Sequence, residues 1–426
     1  MKLYDYQMDI LEKTADLKKV AYYLDMGLGK TFVGSEKMKQ LKRPINFVVC
    51  QKSKVADWVN HFKTYYPEFN VFNLTLERNI SVFNDCPELK VGIINYDLIY
   101  RRESITWPFR KNCYCLMLDE SSLIQNTKAK RTKFIMKLKP EYLILLSGTP
   151  VGGKYENLFS QMKLLGRSGT ESAFLKKYVN FNTIMIGGFP HKIPNKICPY
   201  RDKYALKDEL KHLGAVFMKT EEAIDLPEQI YIHEFVKKPK EYQPFMKDGY
   251  YRYADGFELI GDCALTKLLI ARQICSIYCT AKLQRYQDLI SSTNERIIVF
   301  YNFQEEYNKL TAATDKPYST INGNLKDLSN YETFDNSITF VQYQAGAMGL
   351  NLQKANRIIY FSLPLSSELF EQSKKRIHRI GQSKKCYYYF LLCEHTIENN
   401  ILSTLKKREN YTNELFIQED RRNEGL

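Results

Sequence analysis

The chain has no apolar run of about 18 residues, so no membrane-spanning helix is expected. Its opening residues, Met1-Lys-Leu-Tyr-Asp-Tyr-Gln7, lack the apolar centre of a signal peptide. None of its ten cysteines forms a Cys-x-x-Cys pair. The closest spacings, Cys113-x-Cys115 and Cys275-x3-Cys279, have no matching second pair. That argues against structural zinc and for buried, reduced thiols. There is no short repeat and no low-complexity tail, although the charged end, Gln418–Leu426, is expected to fray. Acidic residues are also in deficit, with 48 Asp and Glu against 62 Lys and Arg and a net charge of +14. Such an excess favours polyanions through phosphate contacts and counterion release. The plainer reading of the charge is solubility. The 31 Tyr and 24 Phe could stack on bases, but most must be core.

What the chain does have is a rhythm of short apolar runs and helical stretches, which predicts repeated β-α units and parallel sheets. Strands are expected at Val20–Leu24, Ile45–Cys50, Val91–Asn95, Tyr114–Leu118 and Tyr142–Leu146. A second series is expected at Ile297–Phe300, Ser319–Asn322, Ile338–Gln342, Arg357–Phe361 and Tyr387–Leu392, with helices at Gln304–Ala313 and Ser366–Arg379. Phe181–Arg201, rich in Gly, Pro and Asn, reads as an irregular excursion, and Asp225-Leu-Pro-Glu-Gln229 as a crossing between lobes. Two domains are therefore expected, 1–225 (with the excursion at about 166–205) and 226–426. Ligands of open α/β sheets bind at the carboxyl ends of strands, which is where the polar segments fall.

The first of these is Asp25-Met-Gly-Leu-Gly-Lys30-Thr31, between a strand and a helix expected at Thr31–Leu41. Gly27 and Gly29, flanking Leu28, let backbone N–H groups face phosphate, and the helix N-terminus adds partial positive charge. Lys30 would reach the β- and γ-phosphates of a nucleotide, and Thr31 would hold Mg2+. The strict phosphate-loop pattern asks for glycine where this chain has Leu24, so a chance Gly-Lys-Thr turn is the plain alternative. The second segment is Asp119-Glu120-Ser121-Ser122, at the end of an apolar strand. Asp119 is placed to hold Mg2+ and Glu120 to orient and deprotonate the attacking water. Two surface acids would be the plain reading if they stood alone. Ser147-Gly148-Thr149-Pro150 ends a third strand and is either a tight turn or a link from the nucleotide site to another surface. Far downstream, Gln372-x3-Arg376-x2-Arg379 puts two arginines on one face of the expected helix, where they could reach across to a triphosphate. The alternative is a solvated face, since Lys374 and Lys375 adjoin. His378 and Trp58 read as packing residues.

Together these segments resemble the Swi/Snf-type DNA translocases of helicase superfamily two, over nearly the full length. The resemblance takes in Leu3-Tyr-Asp-Tyr-Gln7, the phosphate loop (which lacks the earlier glycine in the family too), Asp119-Glu120 and Ser147-Gly-Thr-Pro150. It continues through Leu226-Pro227, Leu269-Ile-Ala-Arg272-Gln, Ile298-Val-Phe300, Ala345-Gly-Ala-Met-Gly349-Leu-Asn351-Leu352 and the Arg379-Ile-Gly-Gln382 ending. It implies an α/β fold of two tandem RecA-like lobes with ATP in the cleft between them, and an ATP- and Mg2+-dependent motor on double-stranded DNA. Gln7 would sense adenine, Arg379 would be the arginine finger, Arg376 its companion and Gln372 an orienting group. Lys52, Ser53, Asn95, Asn302, Gly349 and Asn351 would meet DNA. Two departures stand out. The family's Ala-His after Asp-Glu is Ser121-Ser122 here, which puts coupling in question. Gln342-Tyr343-Gln344 replaces a small hydroxyl and a basic residue in a DNA-contacting segment. Strand separation, action on RNA, and a nucleic-acid-binding switch with weak ATPase stay open. The expected setting is a monomeric motor in the cytoplasm, with little room for targeting modules, a separate partner such as a nuclease or repair protein, and a viral or mobile-element origin suggested by composition.

Overall fold

The computed structural model describes residues 2–102, 114–195, 197–346 and 351–416. They form two compact units, one built on Met1–Ala223 and the other on Ile224–Glu409.

The first unit is organised by a sheet of β1 (Lys19–Leu24), β2 (Ile45–Cys50), β3 (Asn70–Asn73), β4 (Lys90–Asn95), β5 (Tyr114–Asp119) and β6 (Tyr142–Ser147). After the hairpin strands β7 (Phe181–Ile186) and β8 (Phe189–Pro194), β9 (Ala215–Met218) completes it. The order is β3-β4-β2-β5-β6-β1-β9, and every pairing is parallel. Parallel strands are covered on both faces and read as continuous apolar runs. Accordingly Val20–Leu24, Phe47–Cys50 and Leu143–Leu146 are fully buried. Helices α1 (Asp5–Lys13), α2 (Lys30–Gln40), α3 (Val55–Tyr65) and α4 (Phe159–Leu165) belong to this unit. The order makes β5, β6 and β1 neighbours, so three of the polar segments emerge side by side.

The second unit contains β10 (Gln229–Val236), a small antiparallel pair β11 (Tyr250–Arg252) and β12 (Glu258–Ile260), then β13 (Ile297–Tyr301), β14 (Tyr318–Ile321), β15 (Lys326–Asp327), β16 (Ile338–Gln342), β17 (Arg357–Tyr360) and β18 (Cys386–Cys393). Its sheet runs β10-β18-β17-β13-β16-β14-β15, parallel except for the last pair. Helix α5 (Ser367–Lys374) follows β17 and is capped by Ser366, whose side chain accepts from Leu369 N–H.

Two expectations are corrected. The excursion at Phe181–Arg201 contains an antiparallel hairpin, β7 with β8, turning on Gly187-Gly188 at φ of 57° and 83°. Two glycines at positive φ suit a tight hairpin turn. The helix expected over Ser366–Arg379 ends at Lys374, so Arg376 and Arg379 lie in the turns after it and share no helical face. Tertiary bonds take over there. Leu352 N–H donates to the Arg376 carbonyl at 3.2 Å, and the Gln382 amide donates to the carbonyls of Gln353, Ala355 and Ile377. Gly349 and the tail Gln418–Leu426 lie outside the described residues.

Candidate functional site

The phosphate loop turns on Gly27 and Gly29, at φ of 91° and 69°, backbone that L side chains rarely adopt. Side-chain hydrogen bonds hold it at both ends. Gln7, buried in the first turn of α1, donates from Nε2 to the Leu28 carbonyl at 3.1 Å and accepts from Tyr4 N–H at 3.1 Å. Tyr6 donates to the same Leu28 carbonyl at 3.2 Å. At the other end of the loop the Asp25 carboxylate accepts from Met26 N–H and from Thr220 Oγ1, at 2.9 and 2.8 Å. A Cβ on Gly29 would sit 2.4 Å from Gln7 Nε2, so the loop and the glutamine are fitted to one another. Lys30 folds back, donating to the carbonyls of Leu24 and Asp25 at 2.9 and 3.2 Å. Thr31 is half-buried in the first turn of α2.

Asp119 ends β5, and its carboxylate accepts from Trp58 Nε1 at 2.8 Å. Burial pushes this carboxyl up from its ordinary value. The Trp58 hydrogen bond and the charges of Lys30 and Lys54 act in the opposite sense. Tyr96 donates to the Asp119 carbonyl at 2.9 Å. Glu120 sits at φ 52°, a strained conformation for glutamate. At the end of β6, a Cβ on Gly148 would lie 3.2 Å from Lys30 Nζ, so the Ser147–Pro150 turn lies against the phosphate-loop lysine. The structure thus brings Gln7, Gly27, Leu28, Gly29, Lys30, Thr31, Asp119 and Glu120 to adjoining strand ends of one unit. Hydroxyl and carboxylate oxygens at Thr31 and Asp119 are the hard donors that Mg2+ takes.

The remaining predicted residues fall as follows. Lys52 and Ser53 are exposed on a short turn after β2. Asn95 is buried, 4% exposed, at the end of β4, where its carbonyl accepts from Leu98 and Ile99. Asn302 donates to Ser362 Oγ at 2.8 Å and to the Leu363 carbonyl at 3.1 Å, joining the ends of two neighbouring strands. Asn351 is exposed. Gln372 is buried on α5 within 3.5 Å of Glu368. Arg376 is buried, and Arg379 is half-buried, its guanidinium pKa lowered by burial. Lys374 is buried between Glu371 and Glu409, at 2.9 and 2.6 Å, rather than solvated. His378 Nε2 contacts the Pro227 carbonyl at 2.9 Å, a packing role.

Reading the sequence missed two participants. Trp58 is core, but it also holds the carboxylate of Asp119. Thr220 anchors the phosphate loop from 195 positions away, a separation at which no local pattern signals a contact.

The glycine-rich turn and the acid pair thus stand on one α/β unit and the arginine segment on a second. The SNF2-related domain matches residues 24–218 and the helicase conserved C-terminal domain matches residues 281–381. The chain thus carries an SNF2-related domain followed by a helicase C-terminal domain. It is 23% identical to the putative ATP-dependent helicase/translocase YwqA of Bacillus subtilis, over 93% of this chain and 46% of that protein. It is 21% identical to the SWI/SNF-related matrix-associated actin-dependent regulator of chromatin subfamily A-like protein 1 of Drosophila melanogaster, over 92% of this chain and 53% of that protein. The chain therefore spans about half the length of these curated relatives. Among solved structures, the SWI2/SNF2 ATPase core of Sulfolobus solfataricus in complex with dsDNA is similar over 97% of this chain and 92% of that one, with a TM-score of 0.46 and 21% identity. No helix among the described residues is long and apolar enough to cross a membrane.

Proposed function

We propose that this chain is an ATP-hydrolysing motor that moves along double-stranded DNA. The observation that carries the reading is the convergence of the phosphate loop, Asp119-Glu120 and the Ser147–Pro150 turn at adjacent strand ends, with Lys30 against Gly148. Relatives named as ATP-dependent helicases or translocases support it, as does the net charge of +14. Gln7 reads the adenine side of the loop, and Lys30 exchanges its carbonyl partners for phosphate. Thr31 and Asp119 would hold Mg2+, which neutralises charge on the transferring phosphoryl group. Glu120 takes the proton of the attacking water. Arg376 and Arg379, from the second unit, stabilise the charge that develops on the γ-phosphate, with Gln372 orienting them. Lys52, Ser53, Asn302, Gly349 and Asn351 supply contacts to the DNA backbone. Asn95, being buried, would position the turn after β4 and act on DNA only through it. Buried thiols such as Cys50, Cys115 and Cys386 suit a reducing compartment, and we place the protein in the cytoplasm as a monomer directed by a separate partner.

The test is ATP turnover without nucleic acid and with single-stranded DNA, duplex DNA or RNA. Duplex DNA should stimulate most, whereas stimulation by RNA alone refutes the substrate assignment. Arg379→Ala should lower stimulated turnover by about 10³-fold or more and leave nucleotide affinity unchanged. Wild-type turnover in that variant would remove the arginine from the mechanism.

A further inference from the structure

The strands that carry Asp119-Glu120 and Ser147–Pro150 are neighbours, yet their polar turns leave the sheet and need something beyond its ladder to hold them in register. A single short segment crosses both. From α4, Gln161 donates through Nε2 to the Pro150 carbonyl at 2.8 Å. Its Oε1 accepts from Ser121 Oγ at 2.7 Å and from Tyr23 Oη at 3.0 Å. Ser160 donates to the Ile124 carbonyl at 2.7 Å. Asn157, one turn earlier, donates to the Val151 carbonyl and to Gln125 Oε1, both at 2.8 Å. Gln161, Ser160 and Ser121 are fully buried, so these bonds form away from water, where a lost partner costs most.

Two further observations give this arrangement a direction. The Pro150 turn reaches Lys30 through Gly148, and Ser121 immediately follows Glu120, whose left-handed backbone must be held by its surroundings. We propose that Gln161 is a positioning residue that locks the turn of the acid pair to the turn lying on the phosphate-loop lysine. The aim of Glu120 then follows the state of Lys30. In this chain Ser121 is the acid-pair end of that link, which gives the Ser-Ser sequence after Asp-Glu a defined part in coupling. The inference rests on the proposed ATPase reading for its kinetic consequence only.

The test uses Gln161→Leu, which keeps the volume and removes three hydrogen bonds, and Ser121→Ala, which removes one and leaves the packing nearly intact. In the full chain, each should lower kcat for ATP, by about 10–100-fold for Gln161→Leu, with nucleotide affinity within about twofold of wild type. The double variant should lose little more than Gln161→Leu alone, because both break one link. Amide hydrogen exchange, which needs no turnover, should quicken together in 120–125 and 148–152 while β1 and β6 stay protected. If the wild-type chain has no ATPase, the function reading fails and exchange alone decides the link. Quickening in only one turn, or in neither, overturns it. So does an active wild type whose Ser121→Ala and Gln161→Leu variants keep full kcat.

Discussion

Trp58→Phe isolates what one indole N–H does for the acidic half of the site. The ring stacks on Phe62 with centroids 6.0 Å apart and meets His61 edge-on at 5.6 Å, and phenylalanine preserves most of that packing. What is lost is the 2.8 Å bond from Nε1 to Asp119 Oδ2. A hydrogen bond to a charged group contributes about 1.5–3 kcal/mol, which at about 1.4 kcal/mol per decade is roughly 10–100-fold. Burial already favours the neutral carboxyl of Asp119, and the Trp58 bond is the first influence opposing it. Removing that bond leaves the ionised form less stable. On the proposed role the carboxylate must be ionised to hold Mg2+, so activity should fall as pH falls through its pKa, and the variant should move that acid limb to higher pH. The assay is ATP turnover against Mg2+ concentration from pH 5 to 8, with a thermal melt as the folding control. A higher Mg2+ requirement and a shifted acid limb are expected. Unchanged Mg2+ dependence and an unchanged limb in a folded variant would refute the assignment of Asp119 as a metal ligand tuned by Trp58.

Three other perturbations probe the frame around the site. Gly29→Ala adds a Cβ that would lie 2.4 Å from Gln7 Nε2 at φ 69°, so nucleotide affinity should fall at least about tenfold, with strain of roughly 1–2 kcal/mol; wild-type affinity by titration would contradict the fit of loop to glutamine. Lys282 and Glu398 form a buried ion pair at 2.6 Å, so Lys282→Met should destabilise by about 3–5 kcal/mol in urea unfolding, and Lys282→Met with Glu398→Leu should recover much of it. His61 has its pKa lowered to about 4 by burial among Phe32, Trp58, Tyr65 and Tyr66. The unfolded chain therefore binds its proton first, and the contribution present above the ordinary value of 6.5 is lost as pH falls towards about 4; melting temperature should drop over that window, and His61→Phe should flatten the drop.

The strands were legible because parallel strands buried on both faces write themselves as apolar runs. Ile45–Cys50 and Ile338–Gln342 match their expected limits, and Tyr114 and Tyr142 begin theirs. The turn at Asp25–Lys30 was legible because its glycines act locally. The arginine segment misled because Arg-x-x-Arg spacing is helical, while the chain there is bent by bonds to residues 352–355 that no local pattern announces. The hairpin could have been found from Gly187-Gly188 between two strand-length runs. Trp58, Gln161 and Thr220 could not, since their partners lie 61, 40 and 195 positions away and depend on strand order.

These long-range bonds bear on where control of a motor can reside. In the first unit, Gln7, Thr220 and Trp58 fix the loop and the acid before any nucleotide is considered. In the second, the Arg376 carbonyl and the Gln382 amide fix the arginine segment to the loop before β17. Groups already held in place spend little binding energy on becoming ordered, and their electrostatic effect is available at once. Lys30 differs in that it donates to two neutral carbonyls, weaker acceptors than a phosphate. A bound phosphate would compete with the Leu24 and Asp25 carbonyls for its ammonium group. Gly148 stands against its ammonium group, so that displacement is felt first by the Pro150 turn and, through Gln161, by the acid pair. On the proposed mechanism, nucleotide occupancy is registered inside the first unit by Lys30.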